Sequence, residues 1–161
     1  MIFSERMGKW LMNAYPPFIF NRIRILSFGK DFHSCRVKLK KSIFNRNLNG
    51  TIFGGSLFSA QDPFFAILYW QILERRGMKV QTWLKSAEIQ YMRPANQDLF
   101  LDFVITEEEI QEAEKQLTLH GRYSHTHEVR FKDKDGDIYV LAKNEVYIRL
   151  TRAQQKPLLG F

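Results

Sequence analysis

Two glycines and a carboxylate set the chemistry this chain could perform. Gly54 and Gly55 follow a polar loop carrying Asn45, Asn47 and Asn49 and open an apolar segment, and Asp62 stands seven residues after Gly55. Glycines at a helix entrance let a substrate approach bare backbone, and the free N–H groups there can hold a developing negative charge. A carboxylate about two helical turns further on is within reach of anything bound at that entrance. The set is suited to attack on a carbonyl. Gly54, with Gly55, would supply the oxyanion donors, and Asp62 would act as nucleophile or general base. Asn47 would orient the water or the carbonyl.

The elements that must position these residues follow from periodicity. Residues from about 3 to 14 read as a short amphipathic helix ended by Pro16-Pro17. From His33 to Lys40 the chain alternates as a strand, with Cys35, Val37 and Leu39 on one face. From Gly54 to about Arg76 it is apolar nearly all round, which predicts a helix buried at the centre of the core and closed by Gly77. Pro63 complicates that helix. Read alone, Asp62-Pro63 is an N-cap followed by a first-turn proline. With Gly54-Gly55 and Leu57-Phe58 upstream, the pair predicts a longer helix kinked at Asp62. After Gly77 the period drops to two, and Trp83, Lys85, Ala87, Ile89 and Tyr91 share a strand face. Leu99 to Ile105 is another strand. Thr106 and Glu109 form a capping box for an acidic helix to about Gln116, and strands at 117–132 and 138–150 meet at Asp135-Gly136.

That order and those residues resemble the α+β hotdog fold, an antiparallel β-sheet wrapped around a long central helix, here with an N-terminal helix added. The chain is most similar to the PaaI-like acyl-CoA thioesterases, and within them to an uncharacterised branch assigned as a domain of unknown function. Asn47, Gly54, Gly55 and Asp62 match the family's loop, Gly-Gly and Asp, and Tyr91-Met92-Arg93-Pro94-Ala95 its Tyr-Met-x-Pro-Ala strand end. The family's His is Phe53 here, leaving only backbone donors in the loop. The resemblance implies a hotdog core over 32–150, preceded by a helix and lead-in over 1–30 and followed by a tail over 151–161, all in one domain. It implies hydrolysis of acyl-CoA or acyl-carrier thioesters with no cofactor beyond the substrate's own coenzyme A. It also implies a homodimer or dimer of dimers whose site is shared between copies. Phe53 and Gly55 would line the substrate site.

Other residues carry competing readings. Lys85 either pairs with Asp62, holds a substrate carboxylate or phosphate, or snorkels from the strand start. Arg93 meets a coenzyme A phosphate or is a solvated surface cation. Asn45, Asn47 and Asn49 are also natural turn formers. His125 and His127 share a strand face but have no third ligand at convincing spacing, so no metal site is expected. Asp133 to Asp137 lacks a calcium loop's glycine and twelfth-position glutamate, and reads as a hairpin turn.

Composition bounds the rest. The chain has 161 residues, 45% of them apolar and fourteen of them Phe, enough for a sizeable core. One cysteine, Cys35, excludes an internal disulfide framework and fits a reducing compartment. No apolar run is long enough for a membrane span and the N-terminus has no signal-peptide pattern, so cytoplasm is the expected location. The net charge of +7 comes mostly from scattered basic residues, with small clusters at Lys38-Lys40-Lys41 and Arg149-Arg152. That weakly favours an anionic ligand, and no base-reading motif points to nucleic acid. Two alternatives to hydrolysis remain: a non-catalytic acyl-ligand-binding hotdog protein and a basic nucleic-acid-binding protein.

Overall fold

In the computed structural model, residues 2–151 and Gln154 are described; the rest of the 151–161 tail lies outside them. Ser4 caps the first helix, α1 (Glu5–Asn13), by accepting from Met7 N–H. Pro16-Pro17 do more than end it: they open a second helix, α2 (Pro16–Asn21), whose first turn suits their fixed φ and missing donors. A strand the alternation did not announce follows, β1 (Ile23–Phe28). Ile23 and Ile25 point inward, but a bulge between Ile25 and Ser27 breaks the period after one repeat. Asn13 holds β1 from outside: its amide accepts from Ile25 N–H at 2.8 Å and donates to Ile25 O at 3.1 Å. Lys9 Nζ adds a bond to Leu26 O at 2.6 Å.

The remaining elements are β2 (Ser34–Leu39), α3 (Gly54–Gln61), α4 (Phe64–Arg75), β3 (Val80–Tyr91), β4 (Leu99–Val104), α5 (Glu107–His120), β5 (Arg122–Lys132) and β6 (Ile138–Leu150). The strands form one antiparallel sheet ordered β1-β2-β4-β5-β6-β3. Its inner face packs Val37, Leu101, Phe103, Phe131, Val140 and Ile148 against Phe64, Phe65, Leu68 and Ile72 of α4. At about 25 cal/mol per Å², burying side chains of this size dominates the fold's stability. Gly77, at φ 85°, lets the chain leave α4, with Met78 N–H bonded back to Leu73 O.

Three details differ from the pattern read in the sequence. The helix after the capping box runs to His120, because Ile110, Ala113 and Leu117 are spaced to bury one helical face; Leu117 is not a strand start. Strand β3 carries a bulge: Leu84 pairs with Val146 and Ser86 with Glu145, leaving Lys85 as the extra residue. Alternation therefore inverts there. Thr82, bonded to Ala66 O at 2.9 Å, faces the helix before the bulge, and Ile89 faces it after. Trp83 lies on the opposite face from Thr82, 42% exposed, so it does not share the face of Ala87 and Ile89. Finally, α3 and α4 are one kinked path. Asp62 (φ −54°, ψ −59°) and Pro63 (φ −88°, ψ −15°) stay right-handed across the break. Asp62 is at the kink, not at a fresh helix start. No helix among the described residues is long and apolar enough to cross a membrane.

Candidate active site

The entrance to α3 is built by its asparagines. Buried Asn45 donates through Nδ2 to Asn21 O and Lys40 O, both at 3.0 Å, and its own carbonyl accepts from Phe53 N–H at 2.8 Å. Asn47 closes the next turn. Its Oδ1 accepts from Asn49 and Thr51 N–H, and its Nδ2 donates to Thr51 Oγ1 at 2.8 Å, so the side chain is engaged within the loop. Ile52 N–H bonds Ala95 O at 2.7 Å, fixing the loop against the chain that leaves β3.

Phe53 then caps α3 with no side-chain bond, and neither Gly54 N–H nor Gly55 N–H has a hydrogen-bond partner among the described residues. These are first-turn donors that a helix cannot satisfy internally. Of the two glycines, Gly55 is the one pressed for space. A Cβ on Gly55 would lie 2.3 Å from Phe53 Cε1, because the exposed Phe53 ring folds over it. Tyr91, at the end of β3, donates its hydroxyl to Gly54 O at 3.3 Å.

The Asp62 carboxylate has no hydrogen bond or ion pair among the described residues, while its backbone N–H bonds Phe58 O at 3.3 Å. Asp62 lies half-buried at the kink, in a cleft of about 550 Å³ beside β3, with Pro63, Trp70, Thr82 and Trp83 in its walls. Burial pushes its carboxyl above the ordinary aspartate value. Its neighbour Gln61 is fully buried with both polar side-chain atoms unpaired, and its backbone O accepts from Nδ2 of buried Asn144 at 3.1 Å, whose Oδ1 is also unpaired. A glutamine in an otherwise apolar helical run and an asparagine within an alternating strand are the sequence signals for these buried polar groups.

The other sequence candidates lie apart. Lys85 pairs with Glu145 at 2.7 Å, not with Asp62, and Arg93 meets Asp137 at 3.5 Å over the Tyr139 ring. A larger hollow of about 1170 Å³ lies between α1, α2, β1 and β2, lined by the basic Arg6, Lys9, Arg22, Arg24, Lys38 and Lys40. That hollow is lined by cations and carries no carboxylate, whereas the smaller cleft holds Asp62. Within one copy, Gly54 and Asp62 are at opposite ends of α3, about 12 Å apart by helical rise.

A family model described as a domain of unknown function (DUF4442) matches residues 4–148, and the chain belongs to that family. No curated protein matches the sequence. Among solved structures, a Pseudomonas aeruginosa protein of unknown function, described as a probable thioesterase, aligns with a TM-score of 0.82 at 16% identity. The alignment covers 94% of this chain and 99% of that one. A Haemophilus influenzae thioesterase aligns at 0.69 and 9% identity, covering 97% of each chain. The Escherichia coli PaaI protein of the phenylacetic acid degradation operon aligns at 0.64 and 14%, covering 89% of this chain and 91% of that one. At these identities the likeness is one of fold, and that fold is the hotdog.

Proposed function

We propose that the chain hydrolyses acyl thioesters, with coenzyme A or an acyl carrier as the leaving thiol, at sites shared between two copies. The observation that carries this reading is that two sets of unpaired groups stand at opposite ends of β3, an edge strand left open among the described residues. Asp62 lies beside Thr82 to Leu84, and Gly54 lies under Tyr91. A second copy added antiparallel along β3, with its axis near Ala87, sets the Trp83 end of each strand against the Tyr91 end of the other. Asp62 of one copy then faces Gly54 and Gly55 of the next.

In that site the thioester oxygen accepts from the Gly54 and Gly55 N–H groups, and the positive end of α3 adds to them. The Asp62 carboxylate either attacks the carbonyl carbon or takes a proton from the attacking water. Collapse of the tetrahedral intermediate breaks the C–S bond and expels the thiolate. The first route leaves an acyl anhydride on Asp62 that water then hydrolyses, the second gives the acid directly, and the thiolate takes up the proton that water releases. A carboxyl held above its ordinary value is better matched to base catalysis near neutrality. Asn47 holds the loop in shape, the Phe53 ring forms an apolar wall, and Arg93, two residues beyond Tyr91, meets a coenzyme A phosphate. Lys85 is left to its ion pair with Glu145.

Asp62→Ala removes the carboxylate. Gly54→Pro removes one donor at a first helical position that tolerates proline, after a Phe53 whose φ −60° and ψ 134° suit a pre-proline residue. Each should lower turnover of an acyl-CoA panel by about 10²-fold or more. Refolding the two dead variants together should restore turnover, because mixed dimers contain one intact site. Mixed dimers that stay inactive would refute the shared site. Phe53 lying over Gly55 favours a second reading, acyl-ligand binding without turnover; wild-type protein that binds acyl-CoA and forms no product identifies it.

A further inference from the structure

We propose that Glu109, His125 and His127 form a binding site for one zinc ion, joining α5 to β5 at a place apart from the Gly54–Asp62 chemistry. His125 and His127 stand two apart on β5 and so face the same way, and α5 supplies the third group that strand spacing alone does not. Glu109 Oε1 lies 3.3 Å from His125 Nε2 and 3.6 Å from His127 Nδ1, and the three donor atoms all fall within 4.8 Å of one another. Zinc bonds of about 2.0–2.2 Å give a tetrahedron with edges of about 3.3–3.6 Å. The two glutamate–histidine separations fall in that range, and both exceed the usual N–H···O hydrogen-bond length.

Two of the three ligands, Glu109 and His127, are also held by a second group, as metal ligands usually are. The other oxygen of Glu109 accepts from Thr106 N–H at 2.7 Å in the capping box, which turns Oε1 toward the imidazoles. His127 is stacked on Phe65 at 4.1 Å and 14°, and its Nε2 lies 3.2 Å from the Tyr69 hydroxyl. A proton on Nε2 donated to Tyr69 leaves the Nδ1 lone pair directed at the site. His125 is stacked beside Tyr123. His127 is buried, while His125 and Glu109 reach solvent with side chains 36% and 26% exposed, so an ion can enter and water can take the fourth position. Two nitrogens and one oxygen suit zinc over calcium or magnesium, which prefer all-oxygen shells.

The test is zinc titration of the full chain, first stripped with a chelator, followed by calorimetry and by equilibrium dialysis. The expected result is one zinc per chain with a rise in melting temperature. Glu109→Gln and His125→Ala, on separate elements and both partly exposed, should each weaken binding by about tenfold or more. Cobalt in place of zinc should give the visible bands of a tetrahedral nitrogen–oxygen site in the wild type and lose them in both variants. No stoichiometric zinc, or zinc held equally well by the variants and therefore on other histidines, would overturn the proposal.

Discussion

At the scale of single residues, Asp62 combines an unpaired carboxylate with partial burial, and this has a consequence for stability as well as chemistry. Its folded-state proton affinity is raised by desolvation, so the folded protein holds that proton more tightly than the unfolded chain does. Stability tied to this group is therefore lost as pH rises from the ordinary aspartate value through the raised folded one. Asparagine has no charge to bury. Asp62→Asn should melt higher than the wild type at neutral pH, and the gap should close in acid; thermal melts across pH would show it. An Asn variant that melts lower at neutral pH would mean the carboxylate has a stabilising partner. The kink at Asp62 is legible in the sequence because Pro63 sits inside an apolar run begun by two glycines. Lys85 is not placed correctly by alternation, because a single extra residue inverts the faces of β3.

Elements that announce both their ends are read well, and those that announce one are not. Helix α5 has its start written in Thr106 and Glu109, which exchange hydrogen bonds at 3.3 and 2.7 Å. Its end lies beyond the Gln116 that the sequence predicts, since Leu117 serves equally as a helical core position or a strand start until packing decides. Strand β1 escaped the pattern because its bulge leaves only Ile23 and Ile25 in phase. The cap itself can be weighed. Thr106→Ala removes the acceptor for Glu109 N–H and should cost about 1 kcal/mol of stability, read from the urea midpoint at constant slope. The Glu109 carboxylate stays bonded to the backbone N–H of residue 106 in that variant, so zinc uptake should change little.

For the whole molecule, the wrapped arrangement is legible because a helix apolar on nearly every side requires a sheet around it. How two copies meet is not, since it depends on which strand the fold leaves at the open edge. Among the described residues that strand is β3, twelve residues long, which carries exposed Trp83 and Tyr91 and leads into exposed Met92. Ala87→Lys would set two ammonium groups against each other across the proposed axis, where like charges repel. The expected outcome is a monomer by sedimentation that retains its circular dichroism and loses turnover. A variant that still sediments as a dimer would place the contact elsewhere.

The amide of Asn13, clasped on both backbone groups of Ile25, bears on how large such an assembly can become. A ribbon with one selvedge bound off by its own chain and the other left bare can be sewn to a second ribbon once. After that seam, both outer margins are hemmed, and lateral sheet growth stops at a pair. The bare margin thus invites a partner without inviting a fibre.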